Sequence, residues 1–390
     1  MRIIWIIYKR FETDLSRTSR IEMTRMLTKL GHRVCLVVPY CGKISNSNVA
    51  DNIKFIRTLP WRGLYTVFFS LIIFFRIGFT LLTNPPDVIL FEFQAFLPLV
   101  PYMLLAKLRL VKVRFVLDIR TVPVEVDSRF ERLKEKLYEC TVLASRFFAD
   151  GITVISPLMK RQICNNYQVA DERIGVWASG VSPHFLEYGE GCSMRKELFI
   201  GKDLVMMYHG VLSPSRGLQE TLKAIGVLKK EGLDIGFLIL GDGKAKHELE
   251  SLLRDLKLEE NVVLHPPVSY ERVPAYISGC DLGILPFPSL NWWRVSSPLK
   301  LMEYLAMAKP VLVTEIEAHR DVIGDCSCGI FMKSSCQDEI VNGIKNVLRV
   351  KDRLPEMGQE GKRIVSTRYT WQKQAERLIN FLEICISKPS

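Results

Sequence analysis

Short apolar runs recur along the chain, spaced to leave room for one helix between neighbours. In the first half they are IIWII (3–7), VCLVV (34–38), IKFI (53–56), VILFEF (88–93), RFVLDI (114–119) and ITVIS (152–156). Each is nearly continuous in apolar side chains, the pattern of strands buried on both faces of a parallel sheet. A second series restarts at LVMMYHG (204–210) and continues through GFLILG (236–241), NVVLH (261–265), LGILPF (282–287), PVLVT (310–314) and GIFM (329–332). Helical segments alternate with these strands almost throughout. Two successive series predict two tandem, doubly wound α/β domains, residues 1–185 and 186–368. The linker falls in SGVSPHFLEYGEGCS (179–193), where turn residues gather. A last amphipathic helix within 369–390 sets Trp371, Ala375, Leu378, Ile379 and Leu382 on one face and is expected to pack back on the first domain. At 390 residues the chain exceeds one ordinary core, in keeping with two domains.

One run does not fit the strand pattern. LYTVFFSLIIFFRIGFTLL (64–82) is long enough to cross a bilayer at about 1.5 Å per residue, although Arg76 interrupts it. A span there would put IKFI and VILFEF, members of one sheet, on opposite sides of a membrane. The topology therefore favours a buried crossover helix over a membrane-dipping surface helix, and both over a true span. Nearby bases (Arg57, Arg62, Arg76, Lys107, Arg109, Lys112 and Arg114) fit either peripheral contact with anionic lipid or an ordinary solvated surface. The opening MRIIWIIYKR is too short in its apolar part for a secretory signal and reads as a first strand.

Composition narrows the partners only a little. A net charge of +11 suits nucleic acid, an anionic membrane or a phosphorylated substrate alike. Nucleic acid is set aside because the bases are not interleaved with aromatic stacking residues. The ten cysteines follow no framework spacing. Their tightest group, Cys326, Cys328 and Cys336 with His319 upstream, lacks the paired spacing of a zinc site. Reduced thiols in a cytosolic protein are the simpler reading. No metal and no bound cofactor is expected.

The candidate chemistry sits where strands of the second series hand over to helices, because ligands of open α/β sheets bind outside the carboxyl ends of strands. In YHGVLSPSRGLQETLKAI (208–225), Gly210 allows a close turn, and the Arg216 guanidinium can clamp a phosphate. ILGDGKAKHELESLL (239–253) turns at Gly241, Asp242 and Gly243. In SSPLKLMEYLAMAKPVLV (296–313), Ser297 is placed to cap a helix with Pro298 at its first position. One carboxylate, Glu303, stands in that otherwise apolar helix. If a diphosphate rests on the helix start, Glu303 lies roughly 7 Å further along the axis, about where ribose hydroxyls would be offered.

These blocks, with HPPVS (265–269), ITVISPLMKRQI and VWASGVSPHF, resemble the nucleotide-sugar domain of the family-four glycosyltransferases, retaining enzymes of the two-Rossmann GT-B fold. The match covers most of residues 204–330 in the family's order and spacing. The resemblance implies two Rossmann-like domains facing across a cleft, the second binding the donor. It also implies transfer of a sugar, hexosyl-like, from a nucleoside diphosphate to a hydroxyl, with the nucleotide sugar as co-substrate and no metal. By the same resemblance Arg216 stands at the family's phosphate-binding Lys, and Gly241 and Gly243 flank the donor. Val268 meets the nucleobase through its backbone, Ser297, Pro298, Leu299 and Lys300 line the diphosphate, and Glu303 holds the ribose. Three positions depart from the family. Val295 stands where a first Glu would contact the transferred sugar, and Val211 where a phosphate Arg would be. YKRFETDLSRTSR (8–20) replaces a Gly-rich loop, with Arg17 or Arg20 as candidates for the missing charge.

In the first domain, LDIRTVPVEV (117–126) puts Asp118 at a strand end facing the cleft. Asp118 and Arg120 are the candidates for catalytic contact with sugar or acceptor. A glycan or lipid-linked acceptor at the cytoplasmic face of a membrane fits the basic, apolar first domain. The chain also lacks the Asp-x-Asp motif of metal-dependent glycosyltransferases. Two rival readings remain: an epimerase of the same fold, which would convert the donor alone, and a non-catalytic sugar-nucleotide-binding partner, suggested by Val211 and Val295.

Overall fold

The computed structural model describes residues 1–11, 17–42, 52–61, 64–124, 129–189 and 198–387. Arg62 and the end of the expected linker lie outside the described residues. The chain divides into two compact units, Met1–Ala178 with Trp371–Ser390, and Ser179–Thr370. The second unit therefore begins before the expected boundary at 185/186.

The first unit is built on seven parallel strands: β1 Arg2–Ile6, β2 Arg33–Tyr40, β3 Ile53–Arg57, β4 Val88–Phe91, β5 Arg114–Ile119, β6 Gly151–Val154 and β7 Ile174–Val176. Their order is β3-β2-β1-β4-β5-β6-β7. The second unit has six: β8 Leu204–His209, β9 Ile235–Leu240, β10 Val262–His265, β11 Leu282–Leu285, β12 Val311–Thr314 and β13 Gly329–Met332, ordered β10-β9-β8-β11-β12-β13. All twelve expected runs form strands. β4, β8, β9, β11 and β12 are buried along their whole length, as near-continuous apolar sequence requires. In both sheets the strand order reverses once, between β1 and β4 and between β8 and β11, which opens a crevice at the carboxyl edge.

β7 is the one strand the sequence pattern did not reveal. It is three residues long, and what completes its surroundings comes from the far end of the chain. The helix Trp371–Ser387 belongs to the first unit and presses Phe381 against this edge. A Cβ at Gly175 would meet the Phe381 ring at 2.4 Å, and one at Gly151 would meet it at 2.9 Å. Gly175→Ala is therefore expected to destabilise the protein by about 1–3 kcal/mol through overpacking. Urea unfolding should show the loss, and Phe381→Leu should restore much of it.

The apolar segment at 64–82 needs a correction. It forms the crossover helix Leu64–Thr83 between β3 and β4, but it is not buried. Only Phe69, Ile73, Ile77 and Leu81 face the sheet, and the outward side is apolar as well. The periodicity of a helix apolar all round does not record which face is covered.

Candidate active site

In the second unit, β8 ends in Tyr208 and His209 beside the sheet's switch point, and the chain turns at Gly210. β9 ends alongside, and its turn packs directly on this one. A Cβ at Gly241 would lie 1.9 Å from the Gly210 carbonyl oxygen, and one at Gly243 would lie 2.2 Å from that of Leu212. The two glycines thus let the two turns touch, and the Leu212 N–H donates to the Asp242 carbonyl at 2.9 Å. Asp242 is exposed, and its carboxylate accepts from the Gly243 N–H at 2.9 Å, so it stabilises its own turn.

Two cations converge above these turns. The Arg216 guanidinium lies 4.1 Å from the centre of the Trp293 ring and 5.1 Å from that of Phe287. Trp293 is itself fixed, stacked on Phe287 and donating from Nε1 to the Ser215 carbonyl at 2.9 Å. Lys300 Nζ lies 4.7 Å from the Tyr208 ring centre, and a Cβ at Gly210 would meet Nζ at 3.1 Å. Burial, with Arg216 adding to it, holds the Lys300 ammonium well below its ordinary range; burial also lowers Arg216. Two desolvated cations so close together suit a multivalent anion, with the Glu303 carboxylate near Lys300 offsetting part of the charge.

The acid stands one turn further along. The helix Leu299–Ala306 begins with Pro298 as its cap residue. Ser297 does not cap it as expected, because its Oγ accepts from the Ser179 N–H at 2.9 Å and its carbonyl accepts from the Ser179 hydroxyl at 2.7 Å. This pair ties the SGVSPHF stretch to the segment that leads into the helix. Glu303 is buried, 2% exposed, with Oε2 3.2 Å from His209 Nε2. Burial lifts its pKa to about 7, opposed by a hydrogen bond from Tyr270 and by the Lys300 charge. Burial and Lys300 push His209 well down, so the imidazole is neutral. Tyr304 packs on the His209 ring and accepts its backbone N–H at 3.1 Å. Val268 is half-buried against the core, two residues before Tyr270. Val295 is buried, beside Arg294, which pairs with Glu317.

Sequence reasoning missed Tyr208, His209, Tyr270, Phe287 and Trp293. Tyr208, His209 and Phe287 were read as the ends of strand runs and given no role of their own, and nothing local marks Tyr270 and Trp293.

The first unit holds the remaining candidates. Asp118 is not at a surface: it is 2% exposed, and its Oδ1 accepts from Thr153 across the β5–β6 pair at 2.8 Å. Burial raises its carboxyl pKa, with Arg120 pulling the other way. So placed, it is held by Thr153 and acts on Arg120 through charge, favouring the guanidinium. Arg120 donates to the Trp177 carbonyl at 2.6 Å, with its guanidinium 3.3 Å over the Trp177 ring, and burial brings its pKa to about 9. Arg20 is committed to Glu92, which also accepts from the Tyr8 N–H at 2.7 Å; Arg17 stands over Phe11.

The strand edges of this α/β unit thus gather two cations, a carboxylate and two glycine turns at one place. Residues 18–185 match the family model for Glycosyltransferase Family 4, and residues 193–364 that for Glycosyl transferases group 1. Between them they take in most of the chain, which belongs to this glycosyltransferase family. The chain is similar to the alpha-D-kanosaminyltransferase of Streptomyces kanamyceticus, 20% identical over 64% of each chain. It thus spans less than two thirds of the length of the curated relatives it matches first. The glycosyltransferase of Rickettsia africae superimposes with a TM-score of 0.74 at 14% identity, covering 100% of this chain and 99% of that one. Anabaena HepE, crystallised with UDP, superimposes with a TM-score of 0.72 at 13% identity, covering 98% and 100%. At such identity the likeness shows the fold: two Rossmann-like domains of the GT-B kind.

Proposed function

We propose that the protein is a retaining glycosyltransferase that moves a hexose from a nucleoside diphosphate to a hydroxyl of a lipid-linked sugar or growing polysaccharide. The observation that carries this reading is the convergence of Arg216, Lys300 and Glu303 at the carboxyl edge of β8 and β11. Arg216 and Lys300 hold the diphosphate and oppose the charge that grows on it as it leaves, so that cationic side chains do the work of a metal. Glu303 accepts the ribose hydroxyls. The bond from the sugar's anomeric carbon to the diphosphate breaks, and a new bond to the acceptor oxygen forms on the same face. The departing phosphate takes the acceptor's proton. On the acceptor side the group we assign is Arg120, held by Trp177, with the Asp118 charge favouring its guanidinium.

A panel of nucleotide sugars, with uridine nucleotides first because HepE binds UDP, tests the reading by calorimetry and then by nucleotide release. One donor should bind and release its nucleoside diphosphate only when an acceptor is added, with the anomeric configuration kept in the product. Conversion of the donor without an acceptor would make the protein an epimerase. Binding with no turnover across an acceptor panel would make it a partner protein.

A further inference from the structure

The outer side of the crossover helix Leu64–Thr83 exposes Leu64, Phe68, Leu71, Phe75, Phe79 and Leu82. Their spacing of three and four residues draws one stripe along the whole helix, a length of about 30 Å. Phe75 and Phe79 are 69% and 68% exposed, and Leu82 is 87% exposed. The neighbouring helix Phe96–Lys107 repeats the arrangement with Leu97, Pro101 and Leu104, continued by Leu108 just past its end. Tyr102 closes the seam: its hydroxyl donates to the Phe74 carbonyl at 2.7 Å, and only a glycine at 78 leaves room for it. Two apolar stripes therefore stand side by side. Soluble surfaces normally break such a patch with charge.

Basic charge predominates around the patch: Asp87, which lines a hollow with Arg109 and Lys112, accepts from the Arg2 N–H, and Asp150, near Lys107, pairs with Arg114. No Asp or Glu occurs in residues 52–86 or 93–117. Exposed Arg57 flanks the start of the first helix, and exposed Lys107, Arg109 and Lys112 follow the end of the second. Both helices cross from the carboxyl to the amino edge of the same sheet, so the cations frame the apolar face at its two ends. Arg76, the one charge within the first helix, lies on the flank near Cys35 and off the stripe.

We propose that this two-helix face docks on an anionic phospholipid bilayer, lying flat in the interface with its stripes among the acyl chains and its cations on headgroup phosphates. The helix Leu64–Thr83 has the length and hydropathy of a span, but its ends join β3 and β4 of one sheet, which a span would pull apart. A second copy of the chain would bring like charges together around the rim, whereas an anionic surface complements them. The inference stands apart from the donor site and does not depend on it.

Sedimentation of the whole protein with vesicles of phosphatidylcholine, alone or with phosphatidylglycerol, tests it. The protein should partition onto the anionic vesicles, less so at high salt. Phe75→Glu with Phe79→Glu should weaken partition at least tenfold, and Lys107→Gln with Lys112→Gln by about fivefold per cation removed. These side chains are exposed, so thermal midpoint and near-ultraviolet circular dichroism should stay as in the parent. Parent protein left in the supernatant, or substitutions without effect on partition, would overturn the proposal. So would a dimer in solution that the Phe75/Phe79 substitutions dissolve, because the face would then be a contact between copies.

Discussion

Arg216→Ala is expected to weaken nucleoside diphosphate binding by roughly 10- to 100-fold, the loss that follows when a buried, charge-assisted contact is removed. The guanidinium is stacked on Trp293 and Phe287, so its plane is set before any ligand arrives. Little orientational freedom remains to be lost on binding. Arg216→Lys should recover only a small part of the affinity, because an ammonium neither stacks as a plane nor forks to two oxygens. Trp293→Ala should cost affinity without removing any charge, by freeing the guanidinium. Isothermal titration with the nucleotide selected from the panel measures all three, and equal affinities across the series would end the phosphate assignment. Lys300 works differently: its desolvated ammonium repels Arg216 in the empty site. A bound diphosphate should relieve that repulsion, so the pair is expected to favour a nucleoside diphosphate over the monophosphate in the same titrations.

How much of this was legible beforehand depends on the range of the forces involved. Twelve strands could be read because each is a local apolar run buried on both faces. β7 could not, since IGV is too short to carry a pattern and its edge is completed by Phe381, two hundred residues on. The exposure of Phe75 and Phe79 was hidden for a related reason: an apolar helix looks alike whether its outer face meets protein or not. In the site, Arg216, Lys300 and Glu303 were readable from strand-to-helix junctions and family spacing. Their aromatic supports were not, because Tyr208 reads as core and Trp293 sits in a four-residue helix, Asn291–Arg294, too short to carry a pattern. His209 meets Glu303 only because β8 lies beside β11, and that order is a property of the whole sheet. Asp118 was read at a strand end facing the cleft; the structure adds that its carboxyl is buried and accepts from Thr153 across the β5–β6 pair, which no local pattern records.

Glu303 should give the largest response to pH. Burial raises its pKa from 4.5 to about 7. An acid whose folded-state pKa is raised holds its proton more tightly when folded. Its contribution to stability is therefore fully present below the unfolded value and is lost as pH rises through the folded one. A rise of this size corresponds to about 3 kcal/mol. Between pH 4.5 and about 7 the ligand-free protein should lose up to that much stability relative to Glu303→Gln, which stays neutral throughout. Nucleotide should reverse the trend, since ribose hydroxyls donate to the ionised carboxylate and offset its burial. Affinity for the nucleotide should climb across the same window, and in Glu303→Gln it should be weaker and nearly flat. Urea midpoints and titrations at half-unit steps from pH 5 to 8 read both effects. If ligand-free stability falls as expected but nucleotide affinity does not rise, Glu303 is a buried acid that meets no ribose. The carboxylate would then owe its place to His209 and Tyr270 alone.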